Sequence, residues 1–453
     1  MQTATTLPTT YTRREIRSQI IHLAWPVIGE QLLTTMATMV DAILVGHLDK
    51  LSMAAIGFTQ PPYWLIVGLF TGLGVGVNAL VARFQGAGRT EEIESATRAG
   101  FWLALLLGAV AGVLMYLLAP WIARVAGAAP DVAPMASHLL RLLSPGVVAV
   151  CWSMVMTAAL RATGDTRTSL VINVGVNVLN AALAYTFIYG HFGVPAFGVI
   201  GAGYATSTAR CLGALLLMAI LLRRKAGARL HWQSLPRVDW GLLKRVLRVG
   251  YVSSTERMVS TLAYIAYAIM VAKLGTAAVA SHNISIAAEN VSWMLASGFA
   301  MATAAMVGQR LGAGRPDQAE QVIREATIMC VALLGVLGLV FIALPGPYIG
   351  IFTNDPAVRA LSASVLRIAG FTEAATGLVL TLNGALSGAG DTRPLFLVTI
   401  AGGLVRLGAA ALFIFGFGWG LQGAWAAALC DWLIRAGLIW VRYRSGSWKT
   451  VSV

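Results

Sequence analysis

The sequence predicts an all-α integral membrane protein whose twelve transmembrane helices form two six-helix parallel pseudo-repeats. Three observations lead there. Of 453 residues, 57% are hydrophobic and only 11% charged, a balance far from that of a water-soluble domain. Twelve stretches of predominantly apolar residues follow one another, at about twenty residues each, the length that crosses a hydrocarbon layer of about 30 Å. Two motifs recur at one spacing: QGAGR at 85–89 returns as LGAGR at 311–315, and RATGDTR at 161–167 returns as SGAGDTR at 387–393, displaced by the same step.

Taken in order, the expected spans are 19–46, 55–82, 98–120, 133–160, 168–190, 196–222, 247–273, 279–308, 325–345, 361–387, 394–416 and 420–441. The step that separates the doubled motifs also carries Leu48 to Leu274, Arg141 to Arg367 and Glu30 to Glu256, while Gly201 matches Gly423 at a slightly shorter displacement. The expected organisation is a cytoplasmic segment 1–18, a lobe 19–222, a basic linker 223–246, a second lobe 247–441 and a tail 442–453. Six spans per half make the repeats parallel, related by an axis along the membrane normal. The net charge of +14 is not a nucleic-acid footprint, because the basic residues stand between apolar segments. About 23 Lys and Arg fall on the side of the termini and about four on the other, so the positive-inside rule places both termini in the cytoplasm of a bacterial inner membrane.

The first span holds a polar stripe of Glu30, Thr34, Thr38 and Asp41 along one face, in which Asp41 lies eleven positions beyond Glu30, or roughly 16 Å along a helix. Carboxylates at such depth cost roughly 2.5–3.5 kcal/mol on insertion scales and face a bundle interior or a wet cavity. Pro26 lacks an amide hydrogen and frees a carbonyl, which makes it a candidate hinge. In the second span Gly72, Gly74 and Gly76, with Gly46 of the first, are expected to allow close helix approach. The fifth span carries Asn173, Asn177 and Asn180 on one face. The seventh carries Ser253, Glu256, Ser260, Tyr264 and Tyr267, and Glu289 and Glu373 follow in the eighth and tenth. Asp431 and Arg435, four apart in the twelfth, read as a structural pair.

Duplicated halves point to a carrier working by alternating access, with its site near the interface of the halves. No phosphate-binding GxxxxGK[ST] loop appears, so an ion gradient must drive it. No catalytic constellation, cofactor motif or HxxxH-type metal pattern is present, and the four cysteines are scattered through the spans. An enzyme is therefore not expected, nor is a metal site or a cofactor beyond the coupling ion.

Pro26 and Asp41 in the first span, MVDAILVGHL at 39–48, the doubled GAGR turns and the doubled GDTR turns together resemble the multidrug and toxic compound extrusion (MATE) family, most closely its bacterial branch related to DNA-damage-inducible protein F. The match runs from about Leu23 to Trp448. The resemblance implies an antiporter that exports amphipathic, often cationic organic compounds against protons or Na+. It also implies that Asp41, Asn180 and Thr206 couple the cation, with bending of the first helix near Pro26. Glu256 matches a cavity glutamate of the family. Beside it, Glu30, Thr34, Thr38, Asn177, Tyr264, Tyr267, Glu289 and Glu373 complete the expected substrate and cation cavity. The family's second aspartate on the fifth helix is replaced by Ala184, which favours protons over Na+. Expected partners are small organic substrates and membrane lipids, with no nucleic acid, and the chain is expected to be a monomer. The alternative is a lipid-linked saccharide flippase, which shares the twin-half plan; acids on the first and seventh helices favour cation export.

Overall fold

The computed structural model describes residues 11–46, 48 and 50–451. His47 of the MVDAILVGHL run, residues 1–10 of the expected N-terminal segment and 452–453 of the tail lie outside them. Twelve long helices follow in order: α1 Arg13–Gly46, α2 Lys50–Gly86, α3 Thr90–Val125, α4 Ala133–Ala162, α5 Thr166–Tyr189, α6 Val199–Arg223, α7 Trp240–Ala272, α8 Thr276–Gly312, α9 Pro316–Ala343, α10 Pro356–Ala389, α11 Thr392–Ala411 and α12 Gly420–Arg444. A single turn, Pro345–Ile349, precedes α10, and a π-helical turn, Leu412–Gly416, prolongs α11. No strand occurs among the described residues. Eleven of these helices are long and apolar enough to cross a membrane. The exception is α7, whose 33 residues include Lys244, Arg245, Arg248, Glu256 and Arg257.

The doubled motifs turn out to be helix ends. Gly88 and Gly314 both take φ +70°, the left-handed region where a side chain would clash. The following amides close the turn identically, Arg89 onto Phe84 O at 3.0 Å and Arg315 onto Arg310 O at 2.9 Å. Gly164 and Gly390 do the same at φ +90° and +82°, ending α4 and α10 in the glycine C-terminal motif. The aspartate after each glycine then holds an arginine at the end of its own half's last helix. Asp165 meets Arg224 at 2.5 Å and receives the Thr168 amide at 3.0 Å, whereas Asp391 takes a two-pronged contact from Arg442 at 2.8 and 3.0 Å.

The chain divides into two compact units, Met1–Ile28 with Thr255–Val453, and Gly29–Ser254. The division cuts inside α1 and α7, differing from the expected lobes 19–222 and 247–441, and α7 begins at Trp240 within the expected linker. Close backbone approach explains the assignment in each unit. In the unit Gly29–Ser254, Gly72 of α2 lies directly on Ser254, and a Cβ on Gly76 would meet Val246 O at 2.5 Å and Gly250 N at 3.1 Å. In the other unit, Gly298 of α8 lies on Ile28, and its Cβ would meet Ala24 O at 3.0 Å. Gly72 and Gly298, like Ile28 and Ser254, are related by the step between the doubled motifs, so one contact is built twice.

A second small-residue contact is also duplicated, with the partners exchanged. A Cβ on Gly74 would touch the Ala158 methyl at 3.3 Å, while Gly384 and Gly388 of α10 lie directly on the backbone of Ala300 and Ala304 of α8. Glycine packing is thus seen at Gly72, Gly74 and Gly76, but Gly46 faces open space. Buried cores fill each unit, one around Leu139, Ile188 and Ala205, others around Leu334, Leu386 and Trp448 and around Tyr267, Phe341 and Leu366.

The segment between α6 and α7 is fastened to α3. Glu94 meets Arg229, His231 and Ser234 at 3.3, 3.1 and 2.8 Å, and Trp102 Nε1 donates to Leu235 O at 2.7 Å.

Candidate functional site

Within the unit Gly29–Ser254 the polar stripe of α1 separates into two centres on α5. Near its start, Glu30 is engaged on both oxygens: Arg161 reaches Oε2 at 2.5 Å, and Asn173 Nδ2 donates to Oε1 at 2.6 Å. Three turns on, Asp41 receives the Asn180 amide as its one hydrogen bond among the described residues, with Nδ2 3.0 and 3.1 Å from its two oxygens. No basic side chain stands within ion-pair distance of Asp41 among the described residues. Asn180 is 7% exposed, and its Oδ1 has no partner among the described residues.

The two acids therefore differ in kind. Glu30 is half-buried and paired with an arginine from the RATGDTR motif. Asp41 has no such ion pair among the described residues and is held by the Asn180 amide. Thr34 and Thr38, expected to line the same face, return their hydroxyls to the carbonyls of Glu30 and Thr34 at 2.9 and 3.0 Å. Of the asparagine face, Asn177 bonds neither acid and its Nδ2 is buried without a partner. Thr206 of α6 is half-buried, and no hydrogen bond joins it to Asp41 among the described residues. Ala184, where a second carboxylate was missing, is buried.

The unit Met1–Ile28 with Thr255–Val453 repeats this plan with changed chemistry. Glu256 of α7 accepts the Thr399 hydroxyl of α11 at 3.0 Å. These two positions are the repeat counterparts of Glu30 and Asn173. The counterparts of Asp41 and Asn180 are Tyr267 and Arg406, and they too are partners: the Arg406 guanidinium lies 5.5 Å from the Tyr267 ring centre. Arg406 also pairs with Asp431 of α12 at 2.8 Å, close but not aligned as a hydrogen bond. Asp431 is only 1% exposed and contacts Arg435 as well. The pair expected between Asp431 and Arg435 is thus part of a three-member bridge between α11 and α12.

Tyr267 and Arg406 border a cavity of about 280 Å³ whose lining also includes Tyr264, His282, Glu289 and Trp293. His282 is buried between the Tyr267 and Trp425 rings, with centroids 5.7 and 5.8 Å away and neither nitrogen bonded. Glu373 of α10 does not line it; it is 1% exposed, with the Ser292 hydroxyl of α8 beside it but no well-aligned hydrogen bond to either carboxylate oxygen among the described residues. Burial of that kind is tolerated for a neutral acid or one beside a cation. The sequence reading did not place Arg161 or His282 in these centres, whereas Arg406 was expected as a pairing partner for the acids of this half. The repeat displacement carries Asn180 to Arg406, a signal in the sequence that these two positions correspond.

A repeated bundle of long apolar helices, with a carboxylate held inside each half, defines a polytopic membrane protein of the transporter class. The sequence profile described as MatE matches residues 26–186 and 253–412, and the chain belongs to the MatE family. It is 30% identical to the probable multidrug resistance protein NorM of Thermotoga maritima, over 97% of this chain and 94% of that one. Multidrug resistance protein MdtK of Yersinia pestis is 28% identical, over 85% of this chain and 84% of its own. Among solved structures, a MOP superfamily transporter from Pyrococcus furiosus superposes with TM-score 0.87 at 23% identity, covering 98% of this chain and 100% of that one. A MATE protein in the bent conformation gives 0.88 at 24%, covering 98% and 99%. Both share the fold.

Proposed function

We propose that this chain is a multidrug exporter, a secondary antiporter that moves amphipathic, often cationic organic compounds out of the cell in exchange for protons, with both termini in the cytoplasm. Relatives named for multidrug resistance across nearly the full length support the substrate class. The observation that carries the coupling is the contrast between the two acids of α1. Glu30 has an arginine; Asp41 has one amide.

The geometry suits a proton. With Asp41 ionised, one Asn180 amide group donates to both oxygens. With Asp41 protonated, its hydroxyl can donate to the Asn180 oxygen, which has no other partner, while the amide still donates to the remaining carboxyl oxygen. The pair is then neutral and doubly bonded, the form an apolar surrounding accepts. Sodium would need several oxygen ligands, and Ala184 and the unengaged Thr206 supply few. Release and capture of this proton would bias α1, whose hinge candidate Pro26 lies just before the division between the units. Fold neighbours described in bent and straight conformations fit a cycle of two states.

The test is uptake of a fluorescent organic cation into everted vesicles under imposed proton or sodium gradients, comparing wild type with Asp41→Asn. Proton-driven uptake lost in the variant supports the reading. Uptake that follows sodium and ignores pH would replace the ion, and wild-type activity in the variant would remove Asp41 from the mechanism.

A further inference from the structure

Arg310, in the last turn of α8, is 3% exposed and meets no carboxylate within ion-pair distance among the described residues. This sets it apart from other arginines of its unit. Arg17 reaches Glu325 at 2.6 Å, Arg406 reaches Asp431 at 2.8 Å, and Arg442 reaches Asp391 at 2.8 Å. Arg310 instead donates from Nη2 to the Gln19 Oε1 at 2.9 Å, rests on the Tyr11 ring with its guanidinium carbon 4.3 Å from the centroid, and leaves Nε without a partner among the described residues. Residues 1–10, MQTATTLPTT, contain no acid that could serve.

A buried guanidinium lacking a counter-charge is an unfavourable arrangement unless an anion reaches it. Arg310 opens onto a cavity of about 350 Å³ bordered by Ser18, Gln19 and His22 of α1 and by Met306 and Gln309 of α8. Its rim carries hydroxyl, imidazole and amide groups and no carboxylate. We infer that this cavity is a binding site for a phosphate group, supplied by the headgroup of an anionic phospholipid. Guanidinium geometry favours two oxygens of one phosphate. A lipid is favoured over a free anion because the cavity has apolar walls beside its polar rim, Leu23 of α1 and Met306 of α8. The basic start of α1, with Arg13, Arg14 and Arg17, is the kind of segment that collects acidic lipids. Bound there, the headgroup ties the start of α1 to the end of α8.

Purified full-length protein in maltoside detergent tests this by thermal stability during titration with dioleoylphosphatidylglycerol, dioleoylglycerol, which lacks the phosphate, or inorganic phosphate. The variants are Arg310→Gln and Gln19→Glu. The second places an internal carboxylate against Arg310 at almost unchanged shape, so it retains the fold even if Arg310→Gln does not. Stabilisation of wild type by phosphatidylglycerol, absent with dioleoylglycerol and weakened at least about tenfold in apparent affinity by Gln19→Glu, is the expected result. Equal stabilisation by inorganic phosphate, lost in the same variant, would keep the anion site and overturn its lipid source. Phosphatidylglycerol acting equally on wild type and Gln19→Glu, or no better than dioleoylglycerol, would overturn the site.

Discussion

Replacing Glu30 by Gln should damage the fold, and replacing Arg161 along with it should repair most of that damage. The two side chains are 2.5 Å apart and only 13% and 12% exposed, so removing either charge strands the other in a medium that solvates it poorly. Such single removals cost about 3–5 kcal/mol in buried pairs, whereas replacing both partners is often close to neutral. The lower end applies here. Asn173 still donates to the Glu30 position, and Arg161 has a further interaction of its own. We therefore expect about 3 kcal/mol for Glu30→Gln and for Arg161→Gln, and about 1 kcal/mol for the double variant, a coupling of about 5 kcal/mol. The assay is reversible denaturant unfolding in detergent for all four proteins, with cation uptake measured in parallel. Transport should return with stability in the double variant. A double variant that is stable but inactive would refute the structural role of Glu30 and return it to the ion path; additive losses would refute the pairing itself.

Four further outcomes follow from the same reasoning. Asn180→Ala should leave protein expressed and folded while shifting the pH dependence of uptake, because Asp41 loses its hydrogen-bond donor; an unchanged profile would dissociate the two residues. Thr399→Val should cost about 1.5–3 kcal/mol of stability, the range for a hydrogen bond to a charged group, and a loss below about 0.5 kcal/mol would make its contact with Glu256 incidental. Gly388→Leu should prevent stable folding or lower stability by more than about 3 kcal/mol, since even a Cβ would strike the Ala304 backbone and overpacking without relaxation exceeds the usual cost of about 1–3 kcal/mol. Normal thermal stability in that variant would contradict the packing of α8 on α10. The fourth concerns pH and lies in the turn between α4 and α5. Burial alone would raise the Asp165 carboxyl, but hydrogen bonds from Arg224 and Thr168 outweigh it and hold it below the ordinary range. A depressed folded value means that the stabilisation is fully present above the unfolded carboxylate range, about pH 4, and is lost as pH falls through the folded value. Asp165→Asn should therefore cost about 1 kcal/mol at pH 7, as for a partly buried ion pair, with the difference from wild type shrinking below about pH 4. A difference independent of pH would show that the charge contributes nothing.

The number, order and approximate ends of the helices were legible in the sequence, because apolar length fixes what can cross a membrane and glycine turns fix where helices stop. So was the twofold plan, since a constant displacement between QGAGR and LGAGR, between the GDTR turns and between Glu30 and Glu256 reflects one packing scheme used twice. Asp41 and Asn180 stood out as well, as polar groups against hydrocarbon. Partnership did not. Glu30 and Asp41 are the same kind of residue on the same helix, and nothing local distinguishes an acid neutralised by Arg161, 131 residues away, from one held by a single amide 139 residues away. The course of α1 and α7 was equally hidden, because the glycines that settle which unit each segment joins act through the backbone of a distant helix. Charge pairing and close approach depend on positions that are remote along the chain and adjacent in space, so they emerge when the helices pack and not before.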